Sequence, residues 1–492
     1  MGQRIEPQVF TREDRTHFRH KLRRCLQAFS QMVEESRFDP THRSTGFEIE
    51  LNLVDDRGDP ALKNTEVLAA IADPAFQTEL ALYNMEVNMT PRSLRGSGLK
   101  EFEDDLWARL NAADKKAREL GVRVVMVGIL PTVTTDHMSI EALSPDARYT
   151  LLNDQIILAR GEDIHIAIDG VERLSLTTDT VAAEAACTSA QLHIQISPEA
   201  FPAYWNAAQV IAGPQVALSA NSPFLFGREL WRETRIPLFE QAIDTRTDEL
   251  TYQGVRPRVW FGERWLSSVS ELFEENVRYF PPLLPVSEEE DPVEELARGN
   301  TPNLGELRLH NGTIYRWNRP VYDVVDGRAH LRIENRVMPA GPTVVDVLAN
   351  AAFYFGLLRR LAEEEVPLWS RMSFDAAADN FFQGARAGIQ AEQYWPGAGW
   401  IGTPELVLRK LLPLAHEGLS DMEVDPAQRD RLLGVIEQRC LSGQNGAEWQ
   451  VRTFHRLLES TGGSRLDALR QMLRRYVEYM ATNAPVHTWP VD

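Results

Sequence analysis

The residues of the chain best suited to do chemistry begin with two glutamates two positions apart. In the segment 46–53, GFEIELNL, Glu48 and Glu50 alternate with apolar residues. Side chains alternate across a β-strand, so both carboxylates stand on one face, where they repel each other unless a cation is bound. Hard divalent cations such as Mg²⁺ take oxygen ligands. The segment therefore indicates a metal site, and an ordinary solvated strand face is the alternative interpretation.

Four further segments repeat this alternation, with polar residues on one face and mostly Leu, Ile, Val or Met on the other. The polar faces of the segments 84–88, 191–195, 306–310 and 332–336 carry Asn84, Glu86, Asn88, Gln191, His193, Gln195, Glu306, Arg308, His310, Arg332, Glu334 and Arg336. Lys, Ser and Thr, which a solvated sheet face carries freely, do not occur in this set. The polar faces are therefore suited to binding rather than to solvation alone.

These residue types predict a site for magnesium-bound phosphates. Carboxylates hold Mg²⁺, and guanidinium groups bind phosphate or carboxylate oxygens in a bidentate way. The prediction assumes that the five strands are neighbours in one sheet, which the sequence alone does not show. Single residues keep simpler alternatives: His193 as a satisfied core histidine, Arg308 as a partner of Glu306, and Arg148 as a helix cap.

Composition and motifs exclude several other classes of protein. The net charge of −19, from 52 Lys and Arg against 71 Asp and Glu, argues against a nucleic-acid partner. The chain has no phosphate-binding GxxxxGK[ST] loop, no strand-following GxGxxG, and no GxSxG or HExxH. No apolar run reaches 18 residues and the N-terminus has no apolar leader, so we expect no membrane partner. Three cysteines without a CxxC motif indicate reduced thiols and a cytoplasmic protein, and homo-oligomer formation is left open.

The pattern of periodicity predicts a strand-rich part, 1–343, with an N-terminal helix at 11–37, followed by a helical part, 344–492. Further segments of predicted structure are strands at 46–54, 80–90, 122–130, 189–197, 305–310 and 330–337, a hairpin at 163–176, and a helix at 198–218. The acidic, proline-bearing segment 287–303 is predicted to be a disordered or lid segment. The helices after residue 343 are expected to complete or flank the sheet.

A set of motifs in a fixed order resembles the glutamate–cysteine ligase family, of the bacterial carboxylate–amine ligase type. The motifs are GFEIEL at 46–51, MEVN at 85–88, Arg148-Tyr149, QLHIQIS at 191–197, ALSANSPF at 217–224, WNRP at 317–320 and IENR at 333–336. The resemblance implies an α+β fold of the glutamine-synthetase and guanido-kinase type. That fold has a curved antiparallel β-sheet with helices packed on its convex face, here followed by a helical C-terminal region.

The resemblance also implies an activity and its cofactors. These are ATP-dependent amide formation through an acyl phosphate, with two or three Mg²⁺ ions and small-molecule substrates, by default glutamate and cysteine. A phosphotransferase of the guanido-kinase type and a non-catalytic nucleotide-binding relative are the alternatives. The identity of the amine is not implied by any residue of the chain.

Positions of the motifs assign candidate residues to roles. The metal-ligand strands of the family correspond here to Glu48, Glu50, Glu86, His193 and Glu334. Arg336 corresponds to a phosphate or transition-state group, and Arg319 to a group facing substrate or nucleotide, so both are candidate catalytic residues. The candidates for cofactor binding are Arg308, Arg316, Gln195 and Asn88, with Arg316 an alternative to Arg319 for the substrate α-carboxylate. Many relatives have H-x-H where this chain has His193-Ile194-Gln195.

Overall fold

The computed structural model describes residues 9–39, 44–460 and 462–491. The expectation that the N-terminus has no apolar leader concerns the first eight residues among others, and these eight lie outside the described residues. The strands, in chain order, are β1 Thr45–Val54, β2 Phe76–Thr78, β3 Asn84–Arg92, β4 Arg123–Val125, β5 Ile164–Asp169, β6 Arg173–Thr178, β7 Ala190–Gln195, β8 Phe224–Leu225, β9 Arg228–Glu229, β10 Val259–Trp260, β11 Tyr315–Arg316, β12 Asn318–Val325, β13 Arg328–Asn335, β14 Glu392–Trp395 and β15 Gly399–Gly402.

The helices surround the sheet and form most of the C-terminal third. They are α1 Arg12–Glu34, α2 Asn64–Ile71, α3 Gly98–Glu119, α4 Ala147–Arg160, α5 Phe201–Ser219, α6 Arg235–Ala242, α7 Asp248–Tyr252, α8 Ser270–Tyr279, α9 Pro292–Ala297, α10 Gly305–Asn311, α11 Val344–Ala362, α12 Phe374–Ala387, α13 Thr403–Leu406, α14 Leu412–Asp421, α15 Pro426–Ser442, α16 Gly446–Ser460 and α17 Arg465–Met480. Among these described helices, none combines the length and the apolar character needed to cross a membrane.

A curled antiparallel sheet of seven strands organises the molecule. Its strand order is β12-β13-β7-β1-β3-β2, and β4 pairs with the far end of β1. The strands predicted from the alternating segments at β1, β3, β7 and β13 are therefore direct neighbours, as the predicted site requires. The strand β12 was not predicted. It contains Pro320, which has no backbone N–H to donate to a neighbouring strand, and it lies at the sheet edge, where a missing hydrogen bond is tolerated.

The apolar face of the sheet packs against helices, which confirms the predicted architecture. Ile49 and Leu51 are fully buried on this face. The ring of Phe47 lies 4.4 Å from that of Phe102 on α3 and 6.1 Å from that of Phe355 on α11. Since α3 comes from the strand-rich part and α11 from the helical part, one hydrophobic core includes residues of both.

Helix boundaries follow the capping signals in the sequence. Thr11 and Asp14 form the reciprocal capping box at the start of α1. Asp425 caps α15, with Pro426 at its first position. The hairpin β5–β6 also forms, with Asp169 paired to Arg173 across the turn.

One prediction about the middle of the chain is wrong, and a second is wrong in part: segment 287–303 is not disordered, while its action as a lid stays a prediction. The segment 305–310 is the helix α10 rather than a strand. Nearly all residues of α10 are buried, against α1 and α8 among other neighbours. The alternation of Leu307 and Leu309 therefore does not distinguish the two-residue period of a strand from the 3.6-residue period of a helix. The acidic segment 287–303 is ordered: it contains α9, capped by Asp291, whose carboxylate pairs with Arg24 on α1 at 2.7 Å.

Candidate active site

The polar face of the sheet gathers carboxylates from separate parts of the chain. Glu50 on β1 lies opposite Glu86 on β3, and Glu48 lies opposite Asn88. On the other side, Glu334 on β13 pairs in register with His193 on β7. Because alternate residues of neighbouring strands share a face, these side chains converge on one surface.

One cluster combines Glu48, His193 and Glu334, whose ligand atoms lie within 4.8 Å of one another. His193 Nε2 is 3.2 Å from Glu48 Oε1. Arg319 donates from Nε to Glu334 Oε2 at 2.7 Å and from Nη2 to Oε1 at 3.1 Å, and Arg336 also donates to Glu334 Oε1. In this mixed cluster, Glu334 therefore already pairs with two arginines, and Glu48 already lies beside the imidazole of His193.

A second cluster consists of carboxylates alone: Glu50, Glu79 and Glu86, again with ligand atoms within 4.8 Å. Glu79 follows the short strand β2 and was not predicted as a site residue. Glu50 accepts hydrogen bonds from the Ser189 backbone N–H at 2.6 Å and from Gln191 Nε2 at 2.8 Å. No cation pairs directly with this carboxylate cluster among the described ion pairs.

The ionisation of the two clusters differs for that reason. Burial works to raise the pKa of Glu48 and Glu334, but His193 lowers the pKa of Glu48 to about 2, and Arg319 with Arg336 lowers that of Glu334. In the carboxylate cluster, burial and neighbouring acids raise the pKa of Glu79 to about 8 and that of Glu86 well above its usual value. The carboxylate cluster thus combines three acids without a direct ion pair among the described residues, and the nearby Arg336 and Arg235 only partly offset their repulsion.

The carboxylate cluster fits a divalent cation directly. It supplies three hard oxygen donors, and the buried Oδ1 of Asn84, which lines the same cavity, has no hydrogen-bond partner. In the mixed cluster, His193 Nε2 lacks a well-formed hydrogen bond, yet Arg332 Nε donates to Nδ1 at 3.2 Å. Coordination through Nε2 places the ring proton on Nδ1, so the mixed cluster accepts a metal only after Arg332 releases that atom.

A cleft opens in front of the carboxylate cluster. Charged and aromatic side chains line it: Glu48, Glu50, Glu79, Glu86, Arg148, Tyr149, Glu184, Arg235, Tyr315, Arg319 and Arg336. His193 and Glu334 are buried beside the cleft rather than among its lining residues. The cleft therefore combines anionic and cationic groups, as a site for a zwitterion and a polyphosphate requires.

Glu184 is another cleft residue that sequence reasoning missed, as it also missed Arg235 and Tyr315. It lies on a turn of 3₁₀-helix over Val181–Ala186, and no hydrogen bond to its carboxylate is present among the described contacts. Burial and the nearby Glu50 raise the pKa of Glu184 to about 7, while Arg336 and Arg148 oppose that rise. The local sequence does not identify Glu79 or Glu184 as a site residue, because neither lies on a strand, where polar and apolar residues would alternate.

The predicted cofactor-binding residues fall in different places. Asn88 remains on the polar face, where its Nδ2 donates to Glu86 Oε1 at 2.6 Å. Gln195 lies at the end of β7 and accepts from the Ser44 hydroxyl at 3.0 Å. Neither side chain lines the cleft.

Two arginines lie elsewhere, so their predicted placement at the site is wrong. Arg308 stands on α10 and pairs with Asp323 at 2.7 Å, because its segment is helical. Arg316 is fully buried, where Glu275 at 3.0 Å satisfies its charge. Neither of them reaches the cleft.

A match to a family model identifies the class of the protein, an ATP-dependent carbon–nitrogen ligase that forms amides. The model for glutamate–cysteine ligase family 2 (GCS2) matches residues 44–471. The chain therefore belongs to this family, as the motifs in the sequence indicate. No match was found among curated proteins.

Three solved structures are similar to this chain at low sequence identity, and the first of them has the same fold. A glutamate–cysteine ligase from Francisella tularensis, in complex with AMP, superposes with a TM-score of 0.50 at 9% identity, covering 93% of this chain and 97% of that one. A bifunctional glutathione synthetase from Pasteurella multocida gives 0.45 at 12% identity, covering 93% and 55%. The ligase PafA, in complex with the prokaryotic ubiquitin-like protein Pup, gives 0.39 at 10% identity, covering 91% and 74%.

Proposed function

We propose that the protein joins the γ-carboxylate of glutamate to the amine of a second amino acid, by default cysteine, with ATP and Mg²⁺. One observation carries the proposal: a cluster of three carboxylates, without a direct ion pair among the described residues, faces the same cleft as two guanidinium groups that meet on Glu334. A metal-bound triphosphate complements that combination of charges. The nucleotide in the Francisella ligase supports an adenine nucleotide here.

The reaction proceeds in two steps through an acyl phosphate. In the first, a γ-carboxylate oxygen of glutamate bonds to the γ-phosphorus of ATP, and the bond from that phosphorus to the bridging oxygen breaks, so ADP leaves. In the second, the amine nitrogen bonds to the acyl carbon while the carbon–oxygen bond to phosphate breaks. Inorganic phosphate then leaves with the carboxylate oxygen, and the amine proton passes to solvent or a cleft carboxylate.

The carboxylate cluster of Glu50, Glu79 and Glu86 holds the first Mg²⁺ ion in this proposal. The mixed cluster of Glu48, His193 and Glu334 supplies a second site once its present partners move. When bound, Mg²⁺ neutralises charge on the phosphate oxygens. The protein contributes the fixed spacing of these oxygens, which the sheet register sets.

The guanidinium groups act on the transferred phosphoryl group and on glutamate. Arg336 is anchored on Gln191 Oε1 at 2.8 Å, and Arg319 lies beside it on Glu334. From there they neutralise charge that develops on the phosphoryl oxygens. Arg148 and Glu184, which face the same cleft, suit the α-carboxylate and the α-ammonium of an amino acid.

An isotope experiment tests the proposal. The purified protein is incubated with ATP, Mg²⁺, glutamate labelled with ¹⁸O in its γ-carboxylate, and a panel of amino acids and amines. The expected result is one ¹⁸O atom in each phosphate released, together with a γ-glutamyl amide of the matching mass. A stable phosphorylated product without phosphate release indicates the phosphotransferase alternative, and no Mg²⁺-dependent turnover with any amine contradicts the proposal.

A further inference from the structure

Arg235, the first residue of α6, lines the cleft and contacts the main chain just after the end of β13, at Arg336 and Val337. Its side chain is 3% exposed and makes three directed contacts. Nη1 donates to the backbone carbonyl of Arg336 at 3.2 Å, Nη2 donates to the carbonyl of Val337, and Nε donates to Glu233 Oε1 at 3.0 Å. The guanidinium group therefore holds the main chain at Arg336 rather than its side chain.

The backbone N–H of Arg336 has a hydrogen-bond partner as well as its carbonyl. The Arg336 N–H donates to the Trp317 carbonyl at 2.8 Å. The Arg235 guanidinium carbon lies 5.6 Å from the centre of the Trp317 ring, within cation–π range. Both backbone polar groups of Arg336 thus depend on the Arg235–Trp317 pair.

Arg235 is itself anchored from the C-terminal helices. Glu233, which is fully buried, accepts from the Asn221 backbone N–H at 2.8 Å. Asn221 accepts at Oδ1 from Gln450 on α16 at 2.8 Å and donates from Nδ2 to the hydroxyl of Tyr476 on α17 at 2.9 Å. These buried groups form one continuous path from α16 and α17 to the backbone of Arg336.

We infer that Arg235 is a positioning residue for Arg336, and that Glu233 and Asn221 connect it to the C-terminal helices. The inference rests on the proposed catalytic role of Arg336. An arginine that neutralises transition-state charge must be held at its productive distance, and a displacement of about 1 Å costs about 100-fold in rate. The C-terminal helices then act on the chemistry through the backbone, without reaching the cleft.

The test compares Arg235→Lys with a matched variant of another buried arginine. Arg439 is 1% exposed, pairs with Asp346 at 2.8 Å and also donates to a main-chain carbonyl, that of Leu218, but it does not line the cleft. We expect Arg235→Lys to lower kcat about 100-fold with KM for ATP and glutamate changed less than about threefold. Arg439→Lys lowers the unfolding temperature but leaves kcat per folded molecule unchanged.

Amide hydrogen exchange supplies a readout that does not depend on activity. Backbone amides within 336–340, which are those of all its residues except Pro339, are expected to exchange faster in Arg235→Lys than in wild type or in Arg439→Lys. Gly446→Ala provides a second perturbation if Arg235→Lys fails to fold: its Cβ would approach Asn221 Oδ1 at 2.1 Å, and it is expected to lower kcat in the same way.

Failure of this inference and failure of the proposed function are distinguishable. If Arg336→Lys lowers kcat but Arg235→Lys leaves kcat unchanged, or changes KM alone, the positioning role is overturned. If Arg336→Lys itself leaves kcat unchanged, the proposed catalytic role of Arg336 fails. Hydrogen exchange then decides the inference: faster exchange at 336–340 in Arg235→Lys supports it, and unchanged exchange overturns it.

Discussion

Glu50 on β1 and Glu86 on β3 stand directly opposite each other, and with Glu79 their carboxylate oxygens lie within 4.8 Å. Three acids at this separation, one buried and two half-buried, repel one another unless they are protonated or share a cation. The arrangement is therefore costly to the empty protein and gives a direct means of testing the metal site.

Glu79→Gln is expected to have opposite effects with and without Mg²⁺. Without the ion, removing one of the three carboxylates relieves repulsion and raises the midpoint of thermal unfolding. With Mg²⁺, the rise in midpoint that wild type shows is lost, because a ligand is missing, and kcat/KM falls more than about 100-fold. Thermal scans with and without Mg²⁺ measure both effects. Glu66→Gln, at an exposed position on α2, is the control, and a full Mg²⁺ response in Glu79→Gln would contradict the assignment.

Arg336→Lys is expected to lower kcat by about 1,000-fold, as for the loss of an arginine that stabilises a transferring phosphoryl group. A single ammonium group cannot bind Gln191, Glu334 and a phosphate with the geometry of a planar fork. Steady-state kinetics with ATP and glutamate provide the measurement. Arg328→Lys, at the first residue of the strand that ends just before Arg336, serves as the control, since that side chain is exposed and pairs with Asp39. Equal activity of the two variants would exclude the proposed role.

Glu184→Gln is expected to raise KM for the amino-acid substrate about tenfold, because the amide offers the α-ammonium group no charge. KM for ATP should stay close to the wild-type value, since the proposed nucleotide contacts lie on the sheet. Initial rates with each substrate varied in turn separate the two constants. A change in KM for ATP alone would assign Glu184 to the nucleotide instead.

His310 predicts how stability depends on pH outside the cleft. Burial lowers the pKa of His310 from 6.5 to about 4, and its Nε2 lies 2.9 Å from the Asn276 carbonyl oxygen. Between those values the unfolded chain takes up a proton that the folded protein does not, so stability falls as pH decreases from 6.5 to 4. The full loss amounts to about 3 kcal/mol.

His310→Gln should flatten this pH dependence of unfolding while lowering stability at pH 8. Denaturation midpoints measured from pH 4.5 to 8 report the slope. His17→Gln, at an exposed position on α1, is expected to leave the slope as in wild type. An unchanged slope in His310→Gln would show that another group causes the acid instability.

Much of the sheet was predictable because its strands are amphipathic. Phe47, Ile49 and Leu51 alternate with polar residues, and each is at most 2% exposed on the helix-covered face. The same alternation placed Glu48 and Glu50 together on the opposite face. Prediction failed at 305–310, where burial on nearly every side removes the polar stripe that distinguishes a helix from a strand.

Some residues of the candidate site were predictable from the sequence, and others were not. Glu86, His193 and Glu334 were identified from their own strands, whereas Glu79 and Glu184 join the site from a five-residue connection and a short turn. Arg316 has the residue type expected of a phosphate ligand, but Glu275 neutralises it in the core. A residue type shows what a side chain is able to bind, and only its neighbours show what it does bind.

The sequence by itself determined which faces of the strands are polar, where the helices are capped, and to which family the chain is similar. These properties depend on neighbours within a few positions, so local pattern is enough to read them. Tertiary structure alone decided that Glu79 completes a carboxylate cluster and that Arg235 holds the backbone of Arg336. It also decided that Arg308 and Arg316 form ion pairs with Asp323 and Glu275 outside the cleft. Those relationships join residues distant along the chain, and packing of the sheet against its helices brings them together.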